Sequence, residues 1–389
     1  MNKIIYMDNA ATTKVDSVAI KLISNELNNF INPSALYPQA SKVREAIEIS
    51  RDIIANSFNI HSPQQNIFFT SCGSESDTWA IRGFNFPEGK NHIITSAFEH
   101  HAVLRACEQM EKDGYKVTYV KPHEDGLIYL DDIREVVTPE TGLISIMAVN
   151  NVIGTIQPIK EIGHFCRENN IIFHTDAVQA ISHIPIDVED MCIDMMSCSG
   201  HKIHCPKGIG FLYVNTSRVD INNIIFGGGQ NEGHRPGTEN HPYILALAYC
   251  IDNYCNPDKM AEREEHVRVL SNYLKEKLLK EFTCININGT LKEDRRVAGN
   301  INVSFKDIIA DSLVYVLGDE KNICISKGSA CDNGGPIEEE AYVLSSMRTP
   351  QIFWDGMLRI TLNEDNTLPE INTLIEALKE KIFDFRGYI

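Results

Sequence analysis

The sequence predicts an α/β protein: a large domain on a mostly parallel sheet, followed by a smaller α+β C-terminal domain. Three observations carry this expectation. At 389 residues the chain exceeds one ordinary domain. Between about residues 65 and 215, short apolar runs alternate with amphipathic stretches, the pattern of βα units. The Glu-, Lys- and Leu-rich stretch 259–281 then reads as a long connecting helix, beyond which a second set of elements begins.

In chain order, strands are expected at 66–70, 92–96, 117–121, 143–149, 171–174 and 210–214, with helices between them at 75–83, 102–113 and 159–169. Beyond the connecting helix, strands are expected at 298–305 and 357–362 and helices near 311–318 and 368–383. The large domain is placed at 15–258, and 1–14 joins 259–389 in the small one. Repeats and low-complexity segments are absent from the sequence.

Thirty-six Lys and Arg stand against 53 Asp and Glu, a net charge of −17, which opposes any broad hold on nucleic acid or an anionic membrane. A small substrate or a protein partner fits better. The N-terminal apolar stretch is too short for a signal sequence and no window approaches a membrane span, so a cytoplasmic location is expected. Eleven cysteines occur without paired spacing, which argues against a zinc ribbon, a structural metal or a disulfide framework. Most then read as small buried hydrophobes.

Ligands of an open α/β sheet gather beyond the carboxyl ends of its strands, so the polar residues there carry the chemistry. After the first strand, Ser71-Cys72-Gly73-Ser74-Glu75-Ser76 opens a helix, which reads either as ordinary capping or as a phosphate cradle of free N–H groups. Asp176 follows the strand at 171–174, where no structural need for a carboxylate is evident and a pyridinium nitrogen would want one. Lys202 stands 26 residues later, behind Ser199-Gly200-His201, in a setting unlike a solvated face and suited to a Schiff-base lysine.

The ordered set Asp8-Asn9-Ala10-Ala11-Thr12-Thr13, Asn32-Pro33-Ser34, Glu99-His100, Asn150-Asn151, Asp176-Ala177-Val178-Gln179, Ser199-Gly200-His201-Lys202, Gly237-Thr238-Glu239-Asn240 and Gly328-Ser329-Ala330-Cys331 resembles the class I cysteine desulfurases nearly end to end. These belong to the aminotransferase class V group of fold-type I pyridoxal-phosphate enzymes, whose large domain carries a seven-stranded sheet. The resemblance implies a homodimer that binds pyridoxal 5'-phosphate, converts L-cysteine to L-alanine and carries sulfur as a persulfide on Cys331. By the same resemblance Lys202 holds the cofactor and abstracts the substrate's α-proton, Asp176 pairs with the ring nitrogen, and His100 stacks on the ring as acid or base. Asn151 and Gln179 contact the ring oxygen; Gly73, Ser74, Ser199 and His201 hold the phosphate; and Thr238 reaches the phosphate of the other subunit. Arg359, with Asn151 and Asn32, receives the substrate.

The sequence also departs from the family. Ile31, Tyr37 and Ala40 replace residues usual around the Asn-Pro-Ser element, which points to a different substrate entry or orientation; Cys72 and Cys205 stand where Gly is usual and read as packing substitutions, with redox sensitivity as the alternative. Asp332 follows Cys331 directly, with Glu338-Glu339-Glu340 nearby, and carboxylates there disfavour a thiolate and repel an acidic acceptor. The sulfur acceptor is left open among iron–sulfur assembly and thiolation of tRNA, DNA or a metabolite. Two other readings are a different lyase or transaminase on this scaffold, such as a selenocysteine lyase, and an inactive scaffold protein.

Overall fold

The computed structural model describes residues 3–328 and 341–386. Cys331, Asp332 and Glu338 to Glu340 lie outside the described residues. Strand β1 (Ile5–Tyr6) stands apart from the main sheet, which is built from β2 (Ile67–Thr70), β3 (His92–Ser96), β4 (Lys116–Val120), β5 (Thr141–Ser145), β6 (Ile172–Asp176), β7 (Met195–Ser199) and β8 (Gly210–Val214). Their order is β2-β8-β7-β6-β5-β3-β4. Pairing is parallel except at β8, which runs antiparallel to both β2 and β7.

Both faces of this sheet are buried, which is why its strands read as continuous apolar runs. Successive residues point to opposite faces. Phe69, Ile94, Ile144, Phe173, Met196 and Phe211 enter one core, while their neighbours Phe68, Ile93, Leu143, Ile172, Met195 and Leu212 enter the other. The sequence reading placed strands at or near six of these positions but none at Met195–Ser199. Met-Met-Ser-Cys-Ser lacks the β-branched and aromatic residues that mark strands. Its serine is admitted to the interior because Ser197 Oγ bonds Nε2 of buried His174 at 3.0 Å.

A second core lies around β9 (Ile285–Ile287), β10 (Asn300–Phe305) and the pair formed by β1 with β11 (Ile323–Cys324). With β12 (Met357–Thr361), β9 and β10 form an antiparallel sheet in the order β12-β10-β9. The helix Pro257–Glu281, with Pro at its start and Asn256 accepting the N–H groups of Asp258 and Lys259, lays Val267, Leu270, Leu274 and Leu278 on this core. Met7 joins it, so the N-terminal segment packs with the C-terminal elements.

Candidate active site

A cavity of about 220 Å³ opens beyond the carboxyl ends of β2, β6 and β7. Gly73, Ser74, His100, Asn151, Asp176, Gln179, Ser199, His201, Lys202 and Arg359 all line it. Thr238 and Asn32 do not: both are exposed, and Asn32 turns its side chain onto the Ser34 N–H at 2.9 Å. Cys331 falls outside the described residues.

At one end of the cavity, the helix Gly73–Arg82 begins directly after the turn that follows β2. Its N-cap, Cys72, makes no side-chain capping bond, so the Cys72 side chain does not occupy the first-turn amides that a helix start presents. Glu75 is committed elsewhere, accepting the Ser71 N–H at 2.7 Å and pairing with Arg235 at 2.9 Å. A Cβ on Gly73 would lie 2.8 Å from Val178 Cγ2, so only glycine lets this turn approach the loop after β6 so closely. Ser199 and His201 complete this end. Burial and the neighbouring Lys202 push His201 down to about 4, leaving it neutral.

Asp176 closes the floor. One oxygen accepts the Val178 N–H at 2.9 Å, and burial pushes the carboxyl up to about 6 against the opposing pull of that bond and of Lys202. One turn along the helix from Gly73, Asp77 is buried behind it, raised well above the carboxylate range by burial and then by Asp176. Asp77, His100 and Asp176 present ligand atoms within 4.8 Å of one another, an electron-rich pocket that suits a cation. Asp77 was missed by the sequence reading. Its signal was the four-residue step from Gly73, which puts both on one helix face.

His100 caps the helix His101–Lys112, its Nδ1 accepting the Ala102 N–H at 3.1 Å. The proton therefore sits on Nε2. Burial and Lys202 push this histidine down to about 4. Glu99 beside it is fully buried, accepts the Ser96 hydroxyl and the Met147 N–H, and is pushed up by burial to about 8.

Lys202 ends the short turn Gly200–Lys202 after β7 and donates to the carbonyls of Ala10 and, at 2.9 Å, Ala11. Gln179 donates to the same Ala10 carbonyl at 2.8 Å. Cys205 is buried against Gly200, as a packing substitution requires. Arg359, on β12, is 2% exposed and donates to the Asn151 carbonyl and to Asp8 Oδ1, both at 3.0 Å. Asn151 Oδ1 and Arg359 Nε are buried without a partner among the described residues. The arrangement offers an anion site, a cation site, a lysine and a guanidinium around one small cavity.

The aminotransferase class-V family model matches residues 5–374. A cysteine desulfurase IscS of Clostridium botulinum is 41% identical over 385 residues, 98% of this chain and 95% of that protein. Another, from Methanosarcina thermophila, is 40% identical over 393 residues, 99% and 94% of the two chains. Among solved structures, a NifS-like protein superposes with a TM-score of 0.89 at 30% identity, covering 98% of this chain and 99% of that one. A structure described as SspA in complex with cysteine gives 0.79 at 36% identity, over 92% and 99%.

Proposed function

The chain belongs to the aminotransferase class-V family, and on that premise we propose that it is a cysteine desulfurase that binds pyridoxal phosphate and passes the sulfur of L-cysteine to Cys331. The observation that carries this is the convergence of Lys202, Asp176, His100 and Arg359, drawn from four separate segments, on one cavity.

Three features support the fit to this cofactor. The uncapped helix start at Gly73 and Ser74 suits its phosphate, with Ser199 and His201 beside it. The buried Asp176 carboxylate suits a protonated ring nitrogen, which would draw its pKa back down. The orphaned Asn151 Oδ1 and the Gln179 amide suit polar substituents of the ring. When bound, the cofactor supplies an electron sink for negative charge at the substrate's α-carbon.

The chain's own groups do the rest. Arg359 receives the substrate carboxylate through its Nε, which has no partner among the described residues, and so orients the substrate in the cavity that Lys202 also lines. Lys202 takes the α-proton, and neutral His100 offers its Nε2 proton to the substrate side. The thiolate of Cys331 attacks the substrate sulfur: the S–S bond forms, the carbon–sulfur bond breaks, and its electron pair stays on the β-carbon, which takes a proton to become the methyl of alanine. Cys331 is left as a persulfide for delivery to a protein acceptor. The exposed positions of Thr238 and Asn32 are consistent with a homodimer in which Thr238 serves the partner's phosphate site. No helix of the described residues is long and apolar enough to cross a membrane.

The test is the absorbance of purified protein reconstituted with pyridoxal phosphate, followed by alanine assay with L-cysteine for wild type and Lys202→Ala. Wild type should turn yellow and form alanine, and Lys202→Ala should form none. A wild type that fails to bind the cofactor would sink the proposal.

A further inference from the structure

We propose that Asp8 is a positioning residue for the substrate carboxylate, holding the Arg359 guanidinium in its receiving orientation; this rests on the desulfurase reading above. Arg359 is buried with one terminal nitrogen on the Asn151 carbonyl and the other on Asp8 Oδ1, while Nε has no partner among the described residues. A guanidinium has five donors in a rigid plane, so fixing its two terminal nitrogens fixes the direction of the third. Without Asp8 this buried cation would lack its carboxylate partner, and burial already presses its pKa down.

Asp8 is itself held from several sides. Its carboxylate accepts the Ser326 hydroxyl at 2.9 Å on the same oxygen that meets Arg359. Its main chain bridges to Thr361, and its carbonyl accepts the Tyr6 hydroxyl at 3.0 Å. Ser326 and Arg359 also exchange backbone hydrogen bonds. The carboxylate is therefore a fixed anchor and not a mobile stand-in that leaves when substrate arrives. Two and three residues on, the carbonyls of Ala10 and Ala11 accept from Lys202. One strap thus sets both the group that grips the carboxylate and the group that works at the adjacent α-carbon.

The role of Asp8 is orientation, so its acceptor oxygen matters more than its charge. Asp8→Asn keeps an oxygen for Arg359 and Ser326, and Asp8→Ala removes it. With cofactor-loaded protein, the absorbance change on titration gives the affinity for L-cysteine and for cysteamine, which has the same amine and thiol but no carboxylate. Asp8→Ala should weaken L-cysteine about tenfold, the loss of one charge-assisted bond, and raise KM with kcat little changed. Asp8→Asn should recover most of that loss. Cysteamine should bind all three proteins alike. Equal weakening of both ligands by Asp8→Ala would mean general collapse of the site and overturn the proposal, as would unchanged L-cysteine affinity. A wild type whose spectrum responds to neither ligand would sink the desulfurase reading itself, and the role of Asp8 with it.

Discussion

Asp77 Oδ1 stands 3.8 Å from His174 Nε2 in a fully buried layer beneath Asp176, yet the two do not form an ion pair. Burial pushes His174 down to about 3 and Asp77 well above its ordinary value, which disfavours the charged form of each. The histidine instead bridges Ser145 Oγ at 2.8 Å and Ser197 Oγ at 3.0 Å, tying β5, β6 and β7 together under the cavity. Asp77 and Asp176 are thereby two neighbouring buried acids, with Lys202 drawing Asp176 down against burial.

This pair should make the cofactor-free protein sensitive to pH. An acid whose pKa is raised by folding contributes stability that is complete below its unfolded value and is lost as pH rises through the folded one. For Asp176 that window runs from about 4 to about 6. Calorimetric melting of cofactor-free Asp176→Asn should show a Tm advantage over wild type that grows across the window and then levels. An equal effect at both ends would contradict this. Cofactor should reverse the order, because it binds the wild type more tightly.

Glu99 offers a second, separable window. Its oxygen holds both the Ser96 hydroxyl and the Met147 N–H, bonds that glutamine can keep. With the folded pKa pushed up to about 8, its contribution is full below about 4.5 and declines up to about 8, at up to roughly 1.4 kcal/mol per pH unit. Glu99→Gln should flatten that decline in urea unfolding measured at several pH values. A variant that follows the wild-type slope would show that Glu99 does not titrate there.

Gly73→Ala places a methyl 2.8 Å from Val178 Cγ2 at the helix start. The turn must open by some tenths of an ångström, which moves the uncapped amides. Pyridoxal-phosphate affinity is expected to fall at least about tenfold while the thermal melt of the cofactor-free protein changes little. Unchanged affinity would separate this turn from the phosphate site.

Much of this architecture was legible because its signals are local. Apolar runs gave the strands of the doubly covered sheet, and the rule that ligands gather at strand ends drew attention to Asp176 and to Lys202. What escaped depended on partners distant in sequence. Strand β7 carries Ser197 at a buried position, where its hydroxyl bonds His174 of the neighbouring strand. Asp8 acts through Arg359, 351 residues away, and the carbonyls of Ala10 and Ala11 act through backbone atoms that any residue possesses. Asn32 and Thr238, expected at the site, sit exposed and outside the cavity, and nothing in their local sequence distinguished them from the residues that line it.

The most direct test is a single turnover of cofactor-loaded protein with L-cysteine labelled at sulfur, quenched without added thiol, digested and mapped by mass spectrometry. The label should reside on the Cys331 peptide as one extra sulfur atom, matched by an equal amount of alanine, and Cys331→Ala should bind L-cysteine yet form neither. Label on another cysteine, above all Cys72, which lines the cavity, or full alanine formation by Cys331→Ala, would contradict the account.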